Sequence, residues 1–367
     1  MDGTRAALRA LGGVLLVVLL ASSALAQNGA LTEAERATLR EIVSQARQEQ
    51  RIPGMSIAIA RDGRLVFAEG FGSVDLEGEV AATADTRYRI ASIAKPVTAV
   101  AVLQLAAAGK LSLDDPVHER CPGYPAKERD PTVRHLLAHQ SGIRHTTDEE
   151  DTSIVGSFPR LADAIAPVAD EALEFEPGTK TLYTSWGYAI LGCVIETVSG
   201  QSYMDYITEH VLGPAGMSAT TLDRPDFAAP DFSPGYRGQG SRLRPSEVVD
   251  TRFKTPASGL ISSAPDLVRF ALALQSGELL AEDWREAMFE AQTLRDGSVT
   301  QHTLGWVTAP RPEGLAAYYS TGSMEGTTAF LYMVPEKGYA VAILANRERY
   351  VQELVPLIRR VNEMLIR

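Results

Sequence analysis

The sequence predicts an α+β fold in which one antiparallel sheet, built from both ends of the chain, is flanked by helices and carries an inserted, mostly helical domain. Two observations predict it. Segments rich in β-formers cluster near residues 55–68 and again at 304–346, whereas apolar segments with helical periodicity dominate from about 92 to 220. Amphipathic helices are predicted beside the strands at both ends, at 31–52 and 347–366.

The first 26 residues are predicted to be a secretory signal peptide. Arg5 and Arg9 give a positive start, residues 11–20 read LGGVLLVVLL, and Ala24-Leu25-Ala26 is a small-x-small cleavage motif. An uncleaved anchor is the alternative, and no later stretch has the length to cross a bilayer. We therefore expect a secreted or periplasmic protein with no stable membrane span after cleavage.

The rest of the chain is expected to form two parts. Residues 27–91 and 258–367 form the sheet domain, residues 92–257 form the mostly helical domain, and the active site lies at their interface. The net charge of −11 argues against nucleic acid or an anionic membrane as a partner. A small-molecule or peptide substrate is expected, and the sequence leaves the oligomeric state open.

The elements follow in chain order. Thr32 and Glu35 predict a capping box at the start of the first helix. The first hairpin is predicted from Met55–Ala60 and Leu65–Ala68, with Asp62-Gly63 at its turn. Helices are then predicted at 92–109, 132–139, 160–170, 186–199, 202–213 and 263–277. The predicted C-terminal strands are 304–309, 316–320, 328–335 and 339–346, with a turn at 336–338 between the last two.

The two cysteines are expected to stay separate. Cys121 lies in the loop ERCPGYP and Cys193 in the apolar, helix-like run AILGCVIE. Export would permit a disulfide between them. Two isolated cysteines, one of them in a core-like helix, more often remain unpaired. Neither lies beside a histidine in the sequence, which therefore gives no sign of a cysteine nucleophile.

The run RIASIAKPVTAV (89–100) places Lys95, one of only six lysines, in apolar surroundings three residues after Ser92. The spacing i,i+3 puts both side chains on one face of the helix predicted there. A serine hydroxyl needs a nearby base to become a nucleophile, and a lysine amine can serve if burial lowers its pKa. Alone, Ser-x-x-Lys is a weak signal because it arises by chance in many chains.

Two further motifs carry candidate site residues. Tyr183-Thr184-Ser185 precedes a predicted helix, so that Tyr183 and Ser185 can both point into a cleft; the alternative is a core tyrosine beside a serine cap. Ser320-Thr321-Gly322-Ser323 ends a predicted strand and can offer hydroxyls and a backbone N–H to a substrate carbonyl. The alternative for this second motif is a polar strand end before a glycine turn.

Together, in this order, the three motifs resemble those of the serine β-lactamase and penicillin-binding-protein superfamily. The resemblance covers essentially all of 30–366. Within the superfamily, the chain is similar to the class C branch and its relatives, namely esterases, D-aminopeptidases and the mitochondrial serine β-lactamase-like protein. It includes the phrases YRIASIAKPVTA (88–99), VRHLLAHQSGIRH (133–145), FEPGTKTLYTSWGYAILG (175–192) and SGLISSAPDLVRFALAL (258–274).

The resemblance implies a serine hydrolase that needs no cofactor and acts on peptide, amide or ester bonds. It implies Ser92 as the acylated nucleophile, Lys95 as its proton acceptor or as the group that holds Tyr183 as a phenolate, and Tyr183 as the second general base. It also implies that Ser185, Ser320, Thr321, Gly322 and Ser323 bind substrate, with the N–H groups of Ser92 and Ser323 forming an oxyanion hole. Which of Lys95 and Tyr183 takes the first proton stays open.

Two departures from the branch pattern bear on the substrate. Ser185 stands where the branch usually has Asn, and Ser320 stands where its third motif begins with Lys or His. Losing that cation weakens binding of a substrate carboxylate such as that of a penicillin. The alternatives are therefore a β-lactamase acting on antibiotics and a catalytically silent binding protein on the same scaffold.

Two other hydrolase types are disfavoured by the sequence. His135 and His139 are spaced i,i+4, but no Glu follows His135 as in the zinc motif His-Glu-x-x-His, so both are expected to be structural. His118, His145, His210 and His302 show no ligand spacing either, and no metal is expected. A Ser-His-Asp triad is disfavoured because no Gly-x-Ser-x-Gly elbow surrounds Ser92.

Overall fold

A computed structural model describes residues 29–76, 80–156, 158–238, 242–310, 314–348 and 351–366. The signal peptide predicted at 1–26 lies outside these residues. Within the ranges described, no helix combines the length and the apolar character needed to cross a bilayer.

An antiparallel sheet of strands from both chain ends lies at the centre of the described structure, as predicted. Its spatial order is β2-β1-β11-β10-β9-β8, so the last long strand pairs with the first. The described strands are β1 (Gly54–Arg61), β2 (Arg64–Gly72), β3 (Tyr88–Arg89), β4 (Thr221–Leu222), β5 (Tyr236–Arg237), β6 (Arg244–Pro245), β7 (Leu260–Ser262), β8 (Val307–Thr308), β9 (Tyr318–Met324), β10 (Thr327–Val334) and β11 (Tyr339–Ala345).

Helices cover the sheet and fill the middle of the chain. The described α-helices are α1 (Glu33–Glu49), α2 (Ala94–Ala107), α3 (Val117–Arg120), α4 (Val133–Leu137), α5 (Asp148–Ser153), α6 (Leu161–Ala164), α7 (Ala166–Ala169), α8 (Ser185–Ser199), α9 (Tyr203–Ile207), α10 (Thr255–Ser258), α11 (Ala264–Ser276), α12 (Glu282–Phe289) and α13 (Val355–Leu365). The predicted capping box of Thr32 and Glu35 starts α1. The fold class predicted from the sequence is confirmed; the division at residues 91/92 and 257/258 stays a prediction.

The two faces of the sheet pack against different layers because strand side chains alternate. Ile57 and Ile343 belong to a core shared with the terminal helices α1 and α13. Ala58 and Leu344, one residue away, belong to a larger core that includes α2, α8 and α11. The central strands β1, β10 and β11 are therefore buried on both faces. Helix α2 lies inside the second core, with every residue from Ala94 to Leu103 buried.

Several predicted boundaries move for local reasons. The helix predicted at 160–170 divides at Ile165 into α6 and α7, and Pro167, in the first turn of α7, cannot donate the backbone hydrogen bond that would continue α6. The C-terminal helix begins at Val355 rather than 347, with Pro356 in its first turn, where proline is tolerated. The helix predicted at 202–213 ends as α-helix at Ile207 and continues as a π-helical turn, Thr208–Leu212.

The C-terminal strands also differ in length. The strand predicted at 316–320 instead runs from Tyr318 to Met324, because the hairpin turn at Glu325-Gly326 lets the whole Ser-Thr-Gly-Ser motif pair with β10. The strand predicted at 304–309 is reduced to Val307–Thr308. The Asp62-Gly63 turn is as predicted, with positive φ at both residues.

The prediction that the cysteines stay separate is wrong. Cys121 and Cys193 form a disulfide, with a Cα–Cα distance of 5.5 Å. Cys121 caps the C-terminal end of α3, which packs against α8, the helix that carries Cys193. The pairing escaped prediction because 72 residues separate the two positions and only tertiary packing brings the loop to the helix.

Candidate active site

Ser92 lies in a tight turn at the entrance to α2. A 3₁₀ turn, Ala91–Ile93, leads directly into the helix, and Ala91 has a φ of +46°, a left-handed conformation that side chains other than glycine rarely adopt. Ser92 is half-buried, whereas the residues on either side of it are fully buried. The turn therefore presents one hydroxyl from an otherwise inaccessible segment.

Lys95 is 3% exposed because α2 is packed on almost all sides. Its Nζ donates to Ser92 Oγ at 3.0 Å, to the carbonyl oxygen of Ala257 at 3.0 Å and to Ser185 Oγ at 3.4 Å. It also lies 4.7 Å from the centre of the Tyr183 ring. These contacts explain how a lysine is tolerated in this apolar run: each polar partner faces the amine from a different element.

Tyr183 and Ser185 approach from the start of α8. The Tyr183 hydroxyl donates to Ser92 Oγ at 2.7 Å, while 38% of the tyrosine remains exposed along the cleft. Ser185 is the first residue of α8 and is 4% exposed. The helix is capped by Thr184, whose side chain accepts the N–H of Gly187, so Ser185 is not the cap.

Strand β9 forms the opposite wall. Ser320, Thr321 and Ser323 line the same cavity as Ser92, whereas Gly322 is buried against the turn that leads into Ser92. A Cβ on Gly322 would lie 2.1 Å from the carbonyl oxygen of Ile90. Only glycine therefore allows the strand backbone to pass directly beside the Ser92 turn.

The cavity between these walls has a volume of about 500 Å³. It brings together all three motifs, and it is also lined by Lys254, Asp151, Asp148, Glu325 and Glu348. Lys254 forms an ion pair with Asp151 inside it. Among the residues that the structure describes, no three His, Cys, Asp or Glu side chains converge in a way that could hold a metal ion.

Burial sets the protonation of the two candidate bases. Desolvation, reinforced by the charge of Lys254 and opposed by Asp151, holds the pKa of Lys95 well below its usual value. Desolvation raises the pKa of Tyr183 to about 12, against the hydrogen bond with Ser92. Both shifts favour the uncharged form, an amine on Lys95 and a phenol on Tyr183.

Three histidines at the site were missed as functional candidates. His139, His145 and His302 line the cavity. The His139 and His145 rings lie 4.5 and 5.3 Å from that of Tyr183, and burial lowers the pKa of His145 to about 4. Their spacing in the sequence matches no metal motif, and the signal that points to two of them is their position on either side of the turn in VRHLLAHQSGIRH.

Comparison with known proteins fits this geometry. The family model described as Beta-lactamase matches residues 39–363. The chain belongs to the beta-lactamase family. The resemblance identified from the sequence is thereby confirmed, including its penicillin-binding-protein relatives.

Three similar proteins illustrate the range of the family. Protein flp of Staphylococcus aureus (strain MW2) is 29% identical over 334 residues, which cover 89% of this chain and 66% of flp. This chain therefore spans just under two thirds of the length of that relative. The octameric penicillin-binding protein homologue from Pyrococcus abyssi is 28% identical, with a TM-score of 0.74 over 90% of this chain and 79% of the other. SurE, solved with D-Leu, is 26% identical, with a TM-score of 0.72 over 91% and 76%.

Proposed function

We propose that this protein is a serine hydrolase that forms an acyl-enzyme on Ser92 and cleaves peptide, amide or ester bonds. The observation that carries the proposal is the double contact at Ser92 Oγ, which lies 3.0 Å from Lys95 Nζ and 2.7 Å from the Tyr183 hydroxyl. A nucleophile within hydrogen-bond reach of a base, itself held by further groups, is the arrangement that activated serines require.

Acylation begins with proton transfer from Ser92 to the neutral amine of Lys95. Ser92 Oγ then attacks the substrate carbonyl carbon, and the carbonyl π electrons move to its oxygen. The backbone N–H groups of Ser92 and Ser323 are the proposed donors to this oxyanion, each worth about 3 kcal/mol of transition-state stabilisation in well-studied hydrolases. Tyr183 gives its proton to the departing nitrogen or oxygen as the bond to carbon breaks.

Deacylation uses the same groups in reverse. The proton on Lys95 first passes to the Tyr183 phenolate, so that both groups become neutral again. The transfer is short because both groups contact the same oxygen position. Water then attacks the acyl carbon while the neutral amine of Lys95 takes its proton. As the bond between the acyl carbon and Ser92 Oγ breaks, Lys95 returns that proton to Ser92 Oγ, and the free acid departs.

The charges around the cavity favour a substrate without a carboxylate at the strand wall. Ser320 supplies a hydroxyl there, and Glu325 and Glu348 also line the cavity. Burial and the nearby charge of Glu325 raise the pKa of Glu348, as expected for adjacent carboxylates. A neutral or amine-bearing peptide or ester fits these charges better than a penicillin does, and the D-Leu bound to the relative SurE makes D-aminoacyl compounds worth including.

We also propose that the protein works outside the cytoplasm. The predicted signal peptide and the Cys121–Cys193 disulfide are independent indications of an oxidising compartment. Sequencing the amino terminus of protein recovered from the exported fraction tests this, with Gln27 expected as the first residue.

A hydrolysis panel tests the function. It contains a chromogenic cephalosporin, short-chain nitrophenyl esters, and D- and L-aminoacyl anilides, each run with the wild type and Ser92→Ala. We expect turnover of an ester or anilide that Ser92→Ala abolishes, with Ser276→Ala, outside the cavity lining, as the control. Turnover that survives Ser92→Ala overturns the proposal; binding without turnover by the wild type indicates a silent binding protein.

A further inference from the structure

His139 accepts hydrogen bonds from the backbone on both sides of Tyr183. Its backbone carbonyl accepts the N–H of Leu182 at 2.8 Å, and its ring Nδ1 accepts the N–H of Thr184 at 3.2 Å. The residues immediately before and after Tyr183 are therefore both bonded to one residue. The His139 ring also packs against the Tyr183 ring, with centroids 4.5 Å apart.

The backbone of His139 indicates that its side chain is needed there. α4 ends at Leu137, and His139 follows the cap with a φ of +58°, the left-handed conformation in which helices usually place glycine. Histidine tolerates this conformation less well than glycine does. Its 5% exposure excludes solvation as the reason for a polar side chain at this position.

A second imidazole accepts a backbone N–H one residue further along the chain. His145 Nδ1 accepts the N–H of Ser185 at 3.0 Å. Both rings must therefore be unprotonated at Nδ1, and burial together with His302, Lys95 and His145 holds the pKa of His139 well below its usual value. The neutral form needed for the Thr184 contact is thus the stable one.

We propose that His139 is a positioning residue for Tyr183: its neutral imidazole holds the Tyr183-Thr184 backbone so that the phenol stays on Ser92 Oγ. The inference rests on the proposed hydrolase function, because the phenol matters there as a proton donor. Removing the imidazole leaves the Leu182 contact in place, since that one uses only the backbone. What is lost is the bond that fixes the residue directly after Tyr183.

The test compares His139→Gly with His139→Asn. Both residues accept a positive φ, so neither introduces backbone strain, but only Asn retains an acceptor near the position of Nδ1. We expect kcat of His139→Gly on the best ester of the panel to fall roughly 100-fold with KM nearly unchanged, as for a misplaced catalytic group. His139→Asn should recover most of that loss.

The readout that separates positioning from simple stability is a double-mutant cycle. In a Tyr183→Phe background, His139→Gly should cause little further loss, because His139 acts through the phenol. His135→Ala, in α4 but outside the cavity lining, is the control and should leave kcat unchanged. Wild-type kcat in His139→Gly, equal losses in the Gly and Asn variants, or additive losses with Tyr183→Phe would each overturn the proposal.

A spectroscopic measurement tests the hydrogen bond between Thr184 and His139 without relying on turnover. Imidazole ¹⁵N shifts in the full-length protein should report His139 as the neutral tautomer with its proton on Nε2 between about pH 5 and 8. A proton on Nδ1 would overturn the inference whether or not Ser92 is a nucleophile. Failure of the hydrolase proposal itself would instead appear as turnover that persists in Ser92→Ala.

Discussion

The two walls of the cleft differ in how they are built. The wall that carries Lys95 and Ser185 is almost fully buried, and its polar atoms bond to one another. The strand wall is more open, because Thr321 is half-buried and Ser323 is exposed. Glu325, directly after β9, and Glu348, after β11, add two carboxylates to the cavity lining. Burial shifts pKa values, whereas exposed charges select ligands. The difference suggests that the first wall sets the chemistry and the second the choice of substrate.

Replacing Lys95 should give the largest effect. Lys95→Met keeps an unbranched apolar side chain of similar length but has no amine, so Ser92 loses its proton acceptor. We expect kcat/KM to fall roughly 10³-fold, within the range for a lost general base. The exposed Lys110, beyond the end of α2, provides the control Lys110→Met, with unchanged kcat/KM. Loss of the circular dichroism spectrum in Lys95→Met would make Lys95 a structural residue instead.

Removing the disulfide tests how much this bond stabilises the folded protein behind the buried wall. Cys193 lies on α8, the helix that begins at Ser185. Since the bond closes a separation of 72 residues, Cys121→Ala/Cys193→Ala should lower the free energy of unfolding by roughly 4 kcal/mol in the loop-entropy model. Urea unfolding measures it. A change below about 1 kcal/mol would contradict the loop-entropy account of this disulfide.

Neutralising the strand wall should change selectivity and leave the chemistry intact. We compare two nitrophenyl esters of equal length, one with a quaternary ammonium group and one with a carboxylate. The ratio of their kcat/KM values should favour the cation and fall about tenfold in Glu325→Gln/Glu348→Gln, less so at high salt. Glu278→Gln, exposed and outside the cavity lining, should leave the ratio unchanged. A ratio unaffected in the double variant would remove the carboxylates from the account of specificity.

The smallest effect is expected at the turn before Ser92. Ala91 has a φ of +46°, so Ala91→Gly relieves strain while losing a buried methyl group, and the two should nearly cancel, to within about 0.5 kcal/mol. Ala101→Gly, in the interior of α2 and fully buried, should cost about 2 kcal/mol because helix propensity and burial both decrease. Equal losses of thermal stability at the two positions would contradict the assigned backbone conformation.

Local pattern was enough to predict most of the fold and one wall of the site. Ser92 and Lys95 are three residues apart on a helix, so their proximity follows from helical geometry. The strands β10 and β11 are apolar runs on either side of a predicted turn, and both are buried along their whole length. Features that depend on distant packing could not be derived, namely the Cys121–Cys193 bond and the contact from His139 to Thr184. The roles of the site residues remain predictions until they are measured.

The most direct test of the central claim is the rate at which an active-site-directed phosphonate labels Ser92 as a function of pH. Since attack requires neutral Lys95 and departure of the leaving group requires protonated Tyr183, labelling should slow as acid protonates Lys95 and slow again only as pH approaches the pKa of Tyr183, about 12. Peptide mapping should find the label on Ser92, with none on Ser92→Ala and with the acid limb absent in Lys95→Met. Label on another residue, or wild-type labelling in Lys95→Met, would contradict the account.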